Sequence, residues 1–362
     1  MIENSCRKLD GEKNLGAYFT MKDLKDRFNE VIDDTVKEWK CHSNVKGIFV
    51  YGSYVRGTIT ANSDLDICII WEGTEAPVRL MSTHKEVVVD MAFMTTSEIE
   101  SVLDGSTRDI MNISEVVNRL RTSKVLYDTK SIVEEWRTSA QKYVWSDSVI
   151  SDVKKVALEF LARAEKYLED GDVKSAIYEA REGLFHLGRI IVMTNNIFTM
   201  LKPAEVLTEV RMLDPMTYQL FIRTFKLKGM DEPKLLSILK EIHEWLDKTE
   251  KLLEDISVDN IAVKVTGLLA QAQREYRGSL SLTYGGDYEL AVLEMRQAAC
   301  TLGKVMVNIR GGSDQEGAFI TGLREYNDEF YNQILVEHGA YDIQPAEIRR
   351  IISESEFIAH RI

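Results

Sequence analysis

The sequence predicts an α+β protein: an N-terminal domain with a mixed β-sheet flanked by helices, then an all-α region of two tandem related helical bundles. Three observations carry this expectation. Strand-like and helix-like segments alternate up to about residue 145; strand-like segments then all but disappear; and the helical half matches itself at an offset of 115 residues, from Gly171 to Gly286. The expected domains are 1–145, 146–255 and 256–362.

The elements follow in order. Residues 21–40 place Leu24, Phe28, Val31, Ile32, Val36 and Trp39 at helical spacing, which predicts a first amphipathic helix. VKGIFVY at 45–51 is short, β-branched and aromatic and runs into Gly52-Ser53, a strand followed by a turn. LDICIIW at 65–71 and EVVVDMAFM at 86–94 are two further strands, expected to be antiparallel neighbours joined by the loop that Gly73 and Pro77 punctuate. KVLYD at 124–128 adds a last short strand, and SIVEEWRTSAQKYVW opens the helical part. Trp39, Trp71, Trp136, Trp145 and Trp245 are expected as core or interface aromatics.

The repeat aligns GDVKSAIYEAREGLFHLGRI (171–190) with GDYELAVLEMRQAACTLGKV (286–305) without a gap. Gly171/Gly286, Asp172/Asp287, Ala176/Ala291, Glu179/Glu294, Arg181/Arg296, Leu187/Leu302 and Gly188/Gly303 coincide. In each copy the Gly can take a left-handed helix cap and the Asp can cap the next helix. The bland alternative is that any two Ala- and Glu-rich amphipathic helices would align in this way. The shared Glu179/Arg181 and Glu294/Arg296 are expected to form ion pairs within or between helices.

Composition narrows the function. With 44% hydrophobic and 28% charged residues the chain is that of a globular protein with a sizeable core. A net charge of −13 and a pI of about 5.1 argue against nucleic acid as a partner, because the overall field repels polyanions. Cys6, Cys41, Cys68 and Cys300 lie far apart, without the spacing of a zinc site or a disulfide framework, which suits a reducing cytoplasm. No apolar run approaches the roughly 20 residues that span a bilayer, so no membrane partner and a cytoplasmic location are expected.

The chemistry concentrates in YGSYVRGTITANSDLDICII, residues 51–70. Mg²⁺ takes oxygen ligands and is usually held by one or two carboxylates together with substrate phosphates. Asp64 and Asp66 stand at alternate positions of an extended segment, so their side chains share one side. Asp90 ends the apolar run VVV on a further strand, where it can complete a two-metal clamp and serve as the base for an acceptor. Gly52-Ser53 permits close backbone approach to a phosphate, and Arg56 can bind triphosphate charge. The competing reading is a turn followed by a strand with solvent-facing aspartates. His84 is expected in a loop.

Gly52-Ser53, then Asp64-Leu65-Asp66, then Asp90 on a later strand resembles the signature of the DNA polymerase β-like nucleotidyltransferase superfamily. Arg56-Gly57 and Ser63 are similar to what its minimal nucleotidyltransferase branch shows, and the resemblance covers roughly residues 20–145. It implies transfer of a nucleoside monophosphate, AMP from ATP being the first expectation, to a hydroxyl of a small molecule or protein, with pyrophosphate released. It further implies two Mg²⁺ ions held by Asp64, Asp66 and Asp90, and outer phosphates gripped by Gly52 and Ser53.

The helical half resembles the C-terminal bundles of the kanamycin nucleotidyltransferase group and the HEPN partners of minimal nucleotidyltransferases. Arg181 and His186 have the spacing of the HEPN nuclease motif, but the second copy carries Thr301 in the place of His186, and a packed histidine is the plainer expectation. Glu179 or Glu182 can serve as base only if the bundle closes over the site. Helical domains of this kind often pair, so a homodimer is compatible. A second functional reading is a nucleotide-sensing, partner-binding regulatory protein with little turnover, which the length of the duplicated helical region favours.

Overall fold

The structure, a computed structural model, describes residues 21–59, 63–254, 259–312 and 319–362. It divides into two compact units at Tyr143/Val144.

The N-terminal unit is built on α1 (Met21–Trp39), β1 (Val45–Val50), α2 (Gly52–Arg56), β2 (Leu65–Trp71), β3 (Leu80–His84), β4 (Val87–Thr95), α3 (Thr96–Leu103), α4 (Ile110–Arg121), β5 (Lys124–Asp128) and α5 (Ile132–Lys142). The strands form one mixed sheet in the order β3-β4-β2-β1-β5. β1 and β2 are buried almost without a break, as expected for central strands covered on both faces. Phe28, Val31 and Ile32 of α1 pack with Ile48, Val50, Leu65, Ile67, Ile69, Val87, Val89 and Met91 on one face. Gly47 of β1 lies close under Val133 of α5. Trp39 and Trp71 both meet the ring of Phe93 edge-on, so they are core aromatics as expected.

One pairing differs from expectation. β2 and β4 are parallel, not antiparallel, with Asp66 opposite Asp90. The segment between them contains β3, which returns to the sheet edge and pairs antiparallel with β4. All five β3 residues are exposed, so no alternation marks the strand in the sequence. Its two-residue turn to β4, Lys85-Glu86, has φ of 48° and 64°, the geometry of a type I′ hairpin. Lys85 pairs with Glu30 and Asp34 of α1, and Arg27 pairs with Glu86. His84 is therefore the last residue of a strand, hydrogen-bonded to Asp34, rather than a loop residue.

The C-terminal unit holds α6 (Asp147–Glu169), α7 (Val173–Thr194), α8 (Pro203–Leu213), α9 (Pro215–Thr224), α10 (Glu232–Glu254), α11 (Asp259–Tyr284), α12 (Tyr288–Ile309), α13 (Phe319–Tyr326), α14 (Asp328–Phe330) running into a π-helical turn (Tyr331–Val336), and α15 (Pro345–Arg361). The two repeat segments are α7 and α12. Gly171 and Gly286 both take the left-handed conformation, and Asp172 and Asp287 both accept a backbone N–H three residues on. Each repeated helix forms a hairpin with its predecessor, α6/α7 and α11/α12. Gly188 and Gly303 coincide for a packing reason: a Cβ at either would lie 2.9 Å from a neighbouring side chain, Phe221 or Leu323.

The two copies are interwoven. The last helix of the second, α15, packs on the hairpin of the first, and α10 of the first packs on α11 and α12 of the second. α8 likewise meets α12, and α13 meets α7. The divisions 146–255 and 256–362 thus describe chain order, while in space each hairpin is covered by the other copy's closing helix. Trp145 stacks on Phe198 and Trp245 meets Phe330 edge-on within this unit.

Candidate metal and nucleotide site

The carboxylates are assembled by strand register. Because β2 and β4 run parallel with Asp66 opposite Asp90, both side chains leave the same face of the sheet, and Asp64, two residues upstream, shares that side. One carboxylate oxygen from each of Asp64, Asp66 and Asp90 lies within 4.8 Å of the others. Asp90 is buried at 5% exposure and Asp66 is partly buried. Burial, followed by the charges of Asp64 and Asp90, pushes Asp66 up to about 6. Three carboxylates this close repel one another, and a divalent cation removes the repulsion.

The turn after β1 is shaped around the same point. Tyr51 N–H still donates to the Asp66 carbonyl at 3.2 Å, so the chain turns away directly beside Asp66. Gly52 begins α2 at φ 72°, and a Cβ there would sit 1.9 Å from Asp66 Oδ2. Only glycine meets both conditions. Ser53 Oγ is buried and has no hydrogen-bond partner. A buried hydroxyl without a partner is costly, and a phosphate oxygen would satisfy it. Arg56 stands three residues further on, exposed in the last turn of α2, on the side of the helix that carries Ser53. Ser63 is partly buried immediately before Asp64.

The structure adds residues that the sequence did not single out. Arg79, just before β3, grips Asp90: its Nε donates to Oδ1 at 2.6 Å and its Nη2 to Oδ2. The hydrogen bond to Asp90 raises the Arg79 pKa. The one sequence clue was Asp90 itself, a carboxylate inside an apolar run that requires a partner or a metal when buried. Arg119 of α4 lies 5.1 Å from the Tyr51 ring centroid and pairs with Glu115. Burial raises the Tyr51 hydroxyl pKa, and that hydroxyl also lacks a partner.

The donor set fits a divalent cation and a polyphosphate. Three hard oxygen ligands converge, a Cβ-free position adjoins them, and an unsatisfied hydroxyl stands in the same turn. The sequence-derived Asp64, Asp66, Asp90, Gly52 and Ser53 are brought together.

The candidates in the helical half have other roles. Arg181 does not pair with Glu179: its guanidinium donates to the carbonyls of Thr224, Gly339 and Ala340. Arg296 donates in the same manner to His338 and Lys226. Each buried arginine thus ties together the turns that follow α9 and the π-helical turn, an arrangement of backbone acceptors invisible in sequence. Lys226 and Ala340, at φ 44° and 55°, mark those two turns. Glu179 does form an interhelical ion pair as expected, though with Arg163 of α6 at 2.8 Å, whereas Glu294 accepts the Ala204 amide and has no ion pair among the described residues. His186 stacks on Phe160, and burial followed by Arg189 lowers its pKa to about 3. Arg181 and His186 therefore have separate packing roles. Among the described residues no helix is long and apolar enough to cross a membrane.

Residues 29–178 match the family model of the nucleotidyltransferase domain, a stretch that runs from α1 through the metal site and into α7. No curated protein matches the chain. A crystal structure of a nucleotidyltransferase-like protein from Exiguobacterium sibiricum is similar over 85% of this chain and 89% of that one, at 12% identity and a TM-score of 0.37.

Proposed function

We propose that this transferase of the nucleotidyltransferase superfamily moves a nucleoside monophosphate, AMP in the first instance, from a magnesium-bound NTP to a hydroxyl of a small molecule or protein. The observation that carries the reading is the convergence of Asp64, Asp66 and Asp90 beside a glycine that no other residue can replace. Asp64 and Asp66 would hold divalent cation and triphosphate together, and Asp90 would hold the second ion on the acceptor side. Bound there, the cations supply charge neutralisation on the phosphates and lower the pKa of an acceptor hydroxyl.

The remaining work falls to the chain's own groups. Ser53 Oγ–H donates to an outer phosphate oxygen, and the missing Cβ at Gly52 lets the phosphate approach the carboxylates. Arg56 contributes positive charge to the triphosphate. Asp90, once released by Arg79, orients the acceptor hydroxyl and receives its proton.

The grip of Arg79 on both oxygens of Asp90 favours a second reading, in which nucleotide binds but the acceptor side stays closed and the protein acts as a nucleotide sensor for a partner. One experiment separates the two. ATP, CTP, GTP and UTP are titrated with Mg²⁺ into wild type and the Asp64→Ala/Asp66→Ala variant by calorimetry, and pyrophosphate release is followed with candidate hydroxyl acceptors. Magnesium-dependent binding lost in the variant, with release, supports transfer; binding without release under any acceptor supports sensing. Binding indifferent to the two aspartates would remove the site from both readings.

A further inference from the structure

The interwoven repeats share a frame, and the frame exposes one difference in charge. In the first copy, Arg163 of α6 donates from Nε to Glu179 Oε2 at 2.8 Å, and its guanidinium carbon lies 4.4 Å from the Phe160 ring centroid. Arg163 reaches in from the surface, with 22% of its side chain exposed against 1% for Glu179. At the repeat offset, Glu179 corresponds to Glu294, Arg163 to Gly278, Phe160 to Glu275 and His186 to Thr301. The buried acid is retained, its cation is deleted, and the ring beneath that cation is exchanged for a second carboxylate.

The structure shows what the deletion leaves. Glu294 is 2% exposed; its Oε1 accepts the Ala204 amide at 2.8 Å, and no hydrogen bond or ion pair reaches Oε2 among the described residues. A Cβ built on Gly278 would lie 3.6 Å from that oxygen, and Gly278 itself is partly exposed. Glu275, on the same face of α11 one turn earlier, is 8% exposed; its Oε1 accepts from Gln271, the Thr301 hydroxyl faces its carboxylate, and its Oε2 is buried with no partner at hydrogen-bond distance among the described residues. Lys304 of α12 and Arg274 of α11 act through space on the Glu275 charge, and Lys202 before α8 acts on that of Glu294, but among the described residues none of them forms an ion pair with either acid. Burial and then, after the Ala204 bond, the neighbouring Glu275 charge push Glu294 up to about 7, the behaviour of a carboxylate whose cation is missing.

We propose that the two carboxylates beside Gly278, where α11 meets α12, bind an alkylguanidinium cation, which takes the part that the Arg163 side chain plays in the first copy. The planar fork would donate to Glu294 Oε2 and Glu275 Oε2, and the alkyl chain would leave along the path of the absent side chain. Ligand binding there would be felt at the start of α8, since the same Glu294 carboxylate holds the Ala204 amide.

The test is a calorimetric titration of agmatine, and separately of N-acetyl-arginine amide, into the full chain at pH 8, with sodium chloride at matched ionic strength as control. Saturable binding of one equivalent is expected, weakened at least tenfold in Glu294→Gln and abolished in Gly278→Arg. Gly278→Arg carries its own guanidinium to the two carboxylates, so it should unfold at a higher temperature than wild type without ligand, which separates a filled site from a misfolded protein. Tighter binding of agmatine identifies a free small molecule as the source of the guanidinium, and tighter binding of the amide identifies an arginine side chain of another protein. Absence of saturable binding, or binding unchanged in Gly278→Arg, overturns the proposal and leaves the two carboxylates as a pair that shares a proton.

Discussion

Arg79 holds both carboxylate oxygens of Asp90, the residue that β2–β4 register sets opposite Asp66. Any cation that uses Asp90 must compete with that guanidinium. Arg79→Ala should therefore act in opposite directions on stability and on metal affinity. Without metal, Asp90 would be left buried and unpaired; removing one partner of a buried pair costs about 3–5 kcal/mol, and the half-exposed Arg79 puts the loss at the low end or below. With the competitor gone, Mg²⁺ or Mn²⁺ affinity should rise about tenfold. Thermal unfolding with and without Mn²⁺ checks both: the variant should start lower than wild type and recover most of the difference when the cation is added.

Gly52 and Gly57 separate backbone strain from steric exclusion, because both have φ 72° and only Gly52 has a neighbour in the way. Alanine at either position should cost about 1–2 kcal/mol for the left-handed conformation. At Gly57 the cost should end there, with nucleotide binding intact. At Gly52 the new methyl group would displace Asp66, so Mg²⁺-dependent nucleotide binding should fall at least tenfold beyond any loss of stability. Paired calorimetric and denaturation measurements on Gly52→Ala and Gly57→Ala decide it; equal binding by the two variants would remove Gly52 from the site.

These residues also mark where the sequence could and could not be read. Four of the five strands and the aspartate set were legible because side-chain period and burial are local properties: Leu65, Ile67 and Ile69 face the core while Asp66 faces away. β3 was not, because an exposed edge strand has no alternation, and without it the parallel pairing of β2 with β4 had no basis. Arg79 was out of reach for the same reason. In the helical half, the repeated Gly171-Asp172 and Gly286-Asp287 caps were legible as local chemistry. Arg181 and Arg296 depart from the expected ion pairs because their acceptors are backbone carbonyls that only the exchanged packing brings near. A repeat reveals that two units are alike, not which covers which.

Glu294 should give the protein a pH-dependent stability of opposite sign to that of salt-bridged acids. Its folded pKa of about 7 lies above the ordinary 4.5, so the folded state holds the proton more tightly than the unfolded chain does. Stability then falls as pH rises through the window from 4.5 to 7, by roughly 3 kcal/mol if the shift acts alone. Asp66, pushed up to about 6, acts in the same direction, so the contribution of Glu294 must be read by difference. Urea unfolding at pH 5 and pH 8 should show a smaller drop for Glu294→Gln than for wild type. Equal drops would mean that Glu294 is ionised at both values.

The exchange of closing helices makes a prediction about fragments. In a chain of two independent bundles, residues 144–255 would contain everything that covers the α6/α7 hairpin. Here that hairpin is covered by α15, whose Ile348, Ile351, Ile352, Ile358 and Ala359 are buried, and Arg181 of α7 finds two of its three carbonyl acceptors at Gly339 and Ala340. A fragment ending at residue 255 would expose an apolar face along two helices of 23 and 22 residues and leave a buried guanidinium without partners. It should therefore be partly unfolded or aggregated when made alone. Residues 256–362 should fail equally, because α10 covers α11 and α12 in return. Mixing the two fragments should restore helical circular dichroism and a cooperative thermal transition, since each supplies the helix that the other lacks. A cooperative transition in the isolated 144–255 fragment would show that the first copy closes on itself.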